Sequence, residues 1–80
     1  MTQTNPACFS AEVQVAALRR SALNSVGIAA DGIAEFMRFS AAAPEREWLV
    51  AYLERSQTNI AAAIEALRRA REAANQIATT

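Results

Sequence analysis

The sequence predicts an all-α protein: a long antiparallel two-helix hairpin, coiled-coil-like, that dimerises into a four-helix bundle. Three observations carry this expectation. A quarter of the 80 residues are alanine and only two glycines and two prolines occur, a composition that favours helix over strand. Apolar residues recur at spacings of three and four over two long stretches. A single internal proline, Pro44, separates the stretches.

Residues 1–9 read as a polar, flexible tail, in which Asn5-Pro6 is a turn or helix-start signal. Ser10 is the expected N-cap of a first helix over about 10–42. Along it Val15, Leu18, Ala22, Val26, Ala29, Ile33 and Met37 form an apolar stripe close to the pitch of a straight helix. Gly27 and Gly32 interrupt it, each costing about 1 kcal/mol relative to alanine. A break there would let Asp31 cap a separate helix, but the stripe crosses both glycines without changing phase and favours one continuous helix.

A turn is expected at about 43–44, because Pro44 disfavours helical backbone at Ala43 and has no N–H of its own. The second helix then covers about 45–78. Glu45 and Glu47 suit the positive end of its dipole, and Arg68, Arg69 and Arg71 the negative end. Leu49, Leu53, Ser56, Ile60, Ala63, Leu67, Ala70, Ala74 and Ile77 repeat at four and three, as a heptad seam does. Small residues alternate along it, which predicts close helix axes. The predicted core of hairpin and oligomer is therefore Val26, Ile33, Met37, Leu49, Leu53, Ile60, Ala63, Leu67, Ala70 and Ile77. Glu65 with Arg68 and Arg69, and Arg68 with Glu72, are spaced for helix-surface ion pairs.

One seam does not absorb the apolar stock. Leu23, Ile28, Phe36, Phe39, Trp48, Val50, Tyr52 and Ile64 fall beside or away from the two stripes. A second copy is the simplest cover, so a homodimer is expected.

Composition argues against catalysis. The chain has no histidine, its eight basic residues are all arginine, and its one cysteine, Cys8, has no neighbour that would activate it. No Cys-x-x-Cys, glycine-rich phosphate loop or carboxylate set with ligand spacing occurs. Glu45, Glu47 and Glu54 are the only clustered acids, and a water-exposed first turn does not raise a carboxyl pKa. No catalytic residue, metal ligand or cofactor is expected. Eight basic residues balance eight acidic ones, so no net field draws the chain to nucleic acid or lipid. No eighteen-residue apolar run spans a membrane, and the first ten residues carry no secretory pattern, so the expected location is cytoplasmic.

Two groups are candidates for partner binding. Phe36, Phe39, Trp48 and Tyr52 converge on the turn, either as an exposed patch or as a small core locking the helices there. Arg68, Arg69 and Arg71 approach Arg19 and Arg20 at the open end, as a basic patch or as a solvated face. The expected function is a non-enzymatic protein–protein interaction module, an inhibitor or adaptor that occludes a surface of a larger protein. Small helical hairpins of this charge balance also resemble the inhibitors that phages and mobile elements direct at host machinery. A secretion-type chaperone, an antitoxin or a structural assembly subunit is the alternative, and a nucleic-acid-binding regulator ranks below these.

Overall fold

The computed structural model describes residues 6–78, which form two helices, α1 Pro6–Phe39 and α2 Glu47–Ala78, packed against each other as a hairpin. No strand occurs among the described residues. Of the residues read as a tail, 1–5 lie outside the described part, whereas 6–9 belong to α1. The helix starts at Pro6 and not at Ser10: a proline's fixed φ suits the first helical position, where its missing N–H is one that no helix could bond. α1 passes through Gly27 and Gly32 without a break.

The connection is longer than the two to five residues expected around 43–44. Residues 40–46 join the helices. Pro44 sits inside a turn closed by the Arg46 N–H donating to the Ala43 carbonyl at 3.2 Å. The Arg46 carbonyl then accepts from the N–H groups of Leu49 and Val50, both at 3.0 Å, which makes Arg46 the N-cap of α2. Proline thus shapes the reversal and does not open the helix. Glu47 lies in the first turn of α2 and Arg38 in the last turn of α1, each matching the local dipole. No basic residue occupies the last turn of α2, because that helix continues to Ala78, beyond Arg71.

Heptad spacing governs both sides of the contact. In α1 the buried residues Val15, Ala22, Ala29 and Gly32 are joined by half-buried Leu18, Ser25 and Phe36. In α2 Leu49, Ser56, Ala63, Ala66, Ala70 and Ala73 are buried, with Tyr52, Asn59 and Ile77 half-buried between them. The seam is therefore built mainly of alanine, serine and glycine. Leu49, 1% exposed, is the one large side chain fully enclosed among the described residues.

This corrects half of each sequence stripe. Val26, Ile33 and Met37 stand one position past seam residues Ser25, Gly32 and Phe36, and all three are exposed. In the same way Tyr52, Asn59, Ala66 and Ala73 fill the positions assigned to Leu53, Ile60, Leu67 and Ala74. Leu49, Ala63, Ala70 and Ile77 do belong to the seam. The physical reason is size. Two neighbouring heptad stripes compete for the partner helix, and the one with smaller side chains brings the backbones closer and gains more van der Waals contact.

A close approach of the helices lies at Gly32. A methyl group there would fall on the Ser56 Oγ and 3.1 Å from the Tyr52 carbonyl oxygen. Ser56 is buried, and its hydroxyl donates to the Ala29 carbonyl at 2.8 Å, so the polar atom inside the seam is satisfied. Gly27 has nothing within 4 Å of where its Cβ would be. The two glycines should respond oppositely to alanine. Gly32→Ala should destabilise the protein by about 1–3 kcal/mol through overpacking, while Gly27→Ala should stabilise it by roughly 1 kcal/mol through helix propensity. Urea denaturation followed by far-UV circular dichroism measures both, and equal effects would refute the tight Gly32–Ser56 joint.

Candidate interaction surface

Each residue that directly follows a seam residue is turned by about 100° in the right-handed sense of the helix. Because α1 and α2 run in opposite directions, that turn carries both sets to the same side of the hairpin. On α1 the set is Leu23, Val26, Ala30, Ile33 and Met37; on α2 it is Val50, Leu53, Gln57, Ile60, Ile64 and Leu67. Both run at three and four. Leu23 is 74% exposed, Met37 69% and Leu67 50%, and Val26, Ile33, Leu53, Ile60 and Ile64 are exposed as well. Over 23–37 and 50–67 one side of a slab of 65 × 18 × 13 Å is thus a largely exposed apolar surface, and Arg19 and Arg71 continue the same side toward the open end.

Two shallow grooves mark the sides. Arg19, Leu67, Ala70, Arg71 and Ala74 line one, at the open end of the apolar side. Ile28, Asp31, Gly32, Glu35, Tyr52 and Arg55 line another, on the reverse side. Residues that precede the seam make up this reverse side, and most are polar: Gln14, Ser21, Asn24, Asp31, Glu35, Arg55, Thr58, Glu65, Arg69 and Glu72. The hairpin is amphipathic across its thickness.

The aromatic residues gather at the turn, but not as one enclosed core. Phe36 is half-buried in the seam. Phe39 and Trp48 tilt against each other with ring centroids 6.1 Å apart, and Trp48 meets Tyr52 edge-on at 6.3 Å. Trp48 remains 50% exposed, and with Ala51, Tyr52 and Arg55 it lines a further groove. The rings brace the hairpin end and still present a free surface. Trp48 and Arg55 precede seam residues Leu49 and Ser56, so this surface belongs to the polar side.

The arginine group divides. Arg19 and Arg71 share the open-end groove, whereas Arg68 and Arg69 project from other positions around α2, all of them exposed. Arg38 pairs with Glu35 at 3.7 Å. The pairs expected of Arg68 and Arg69 with Glu65, and of Arg68 with Glu72, are not formed; holding long exposed side chains together costs more entropy than the screened attraction returns. Among the described residues no three His, Cys, Asp or Glu side chains are grouped to hold a metal ion, and no helix is long and apolar enough to cross a membrane.

No protein-family model, curated protein or solved structure matches this chain. Its surfaces therefore speak from their own chemistry.

The apolar side was legible as a surplus, since Leu23, Val50 and Ile64 fit no seam. What identifies it is a second heptad in each helix offset by one residue from the first. Adjacent positions should separate the two sets. Ala66→Leu should force the helices apart and destabilise the hairpin by about 2 kcal/mol, while Leu67→Ala should cost under about 1 kcal/mol. Thermal unfolding at low concentration measures this, and a larger loss for Leu67→Ala would refute the assignment of the seam.

Proposed function

We propose that this chain is a non-enzymatic protein-interaction module, an inhibitor or adaptor that works by covering part of a larger protein. One observation supports the reading above all: the hairpin closes its own seam mainly with small residues and leaves Leu23, Val26, Ile33, Met37, Leu53, Ile60, Ile64 and Leu67 exposed on one side. Exposed apolar continuity on this scale marks a protein contact. In this reading the apolar side meets other helices, giving a four-helix bundle, and the aromatic tip on the polar side remains outside that bundle. Trp48 and Tyr52 supply the large, rigid area typical of binding hot spots, and Arg55 beside them supplies donors for a polar rim. No catalytic group is part of the proposal. The chain acts stoichiometrically, by occlusion.

Trp48→Ala tests the tip. The substitution removes half-exposed area while the seam stays intact, so far-UV helicity should persist and capture of the target should fall at least tenfold, the cost typical of one hot-spot residue. Quantitative affinity capture from cells of the source, with wild type and variant compared by mass spectrometry, reads this. Equal capture by Trp48→Ala would overturn the role of the tip.

A further inference from the structure

We infer that the occupant of the apolar side is a second copy of this chain, packed face to face and antiparallel, so that the tip of each hairpin lies over the arginines around Arg19 and Arg68 of the other. The inference rests on the proposed interaction role and assigns its long surface a partner. Area is the first argument. Eight exposed Leu, Ile, Val and Met side chains on that side, at roughly 100 Å² each, offer about 800 Å² per copy, the share each partner brings to an interface of standard size. The surface also runs side by side on both helices for about 25 Å, and a copy of itself matches that outline. Two such slabs make a four-helix bundle with α1 beside α1 and α2 beside α2 of the partner.

Charge is the second argument, and it decides the direction. The tip half of the hairpin, residues 23–58, carries Asp31, Glu35, Glu45, Glu47 and Glu54 against three arginines, a net charge of −2. The open half carries five arginines against Glu12, Glu65 and Glu72, a net charge of +2. An apolar face alone is nearly indifferent to the sense of stacking. Antiparallel stacking about the centre of the apolar face sets the acidic tip of each copy, with Glu45 and Glu47, level with Arg19, Arg20, Arg68 and Arg69 of the other; parallel stacking places like over like at both ends. Gln57, beside Ala30 near the middle of the face, then meets its own counterpart about the two-fold axis and can share a hydrogen bond with it.

The test combines native mass with one distance. Light scattering on the full chain should give twice 8.6 kDa over a wide dilution range. Ile60→Asp, on the apolar side, should return the mass to that of one copy, whereas Ile28→Asp, on the reverse side, should leave it doubled. A spin label at Ala42→Cys, with Cys8→Ser, should report a tip-to-tip separation of roughly 40 Å from the 1.5 Å rise per residue. A separation under about 20 Å would mean parallel hairpins and overturn the antiparallel assignment. A helical monomer that binds an apolar fluorescent dye would overturn the dimer while leaving the interaction reading intact. A helical monomer that binds no dye would overturn both.

Discussion

Everything in this molecule depends on how closely two helices approach each other. Gly32 against Ser56, and the alanines on either side of that joint, bring α1 and α2 into contact through side chains that scarcely extend from the backbone. Such a seam gains its energy from many short van der Waals contacts and little from removing bulk apolar area from water. The Ser56 hydroxyl is fully buried inside it, and the Ala29 carbonyl satisfies that group. The cost of this choice is that the larger side chains have no place in the contact. They are displaced outward and form the exposed apolar side.

Fold class was plain in the sequence because it followed from quantities that local physics controls: alanine content, helical spacing and one proline. The continuity of α1 through Gly27 and Gly32 also followed, since phase is a stronger signal than two local penalties. The identity of the seam was not plain. Reading size as a mark of burial selected Leu53, Ile60 and Leu67 over Tyr52, Asn59 and Ala66, and Val26 and Ile33 over Ser25 and Gly32. Hydrophobicity orders residues by their transfer from water; helix approach orders them by volume, and in a two-layer pair with an open side the second order prevails. The 40–46 link was under-read for a related reason. Pro44 announces a reversal, but how many residues the reversal needs depends on the axes it must join.

The candidate site divides in the same way. That aromatic residues meet at the turn was legible from position alone, and the structure adds that Trp48 braces one neighbour on each side while keeping half its surface free. The arginines were grouped by proximity along the chain, yet only Arg19 and Arg71 share a groove, because residues one apart on a helix point in different directions. The offset of one residue that separates seam from apolar side also makes the reverse side polar. A single phase relation therefore accounts for the contact, the exposed apolar side and the polar reverse side together.

The lone reversal at 40–46 also sets an order in time. Pairs beside the link are near neighbours along the chain, whereas partners at the open end, such as Val15 and Ile77, are separated by most of its length. Closing the first pairs fixes the helices side by side, and each later pair then closes only a short remaining loop. The hairpin should zip from the link outward, and amide protons near the open end should exchange with solvent soonest. The tip, where Trp48 keeps half its surface exposed, should thus also be the end from which the fold grows.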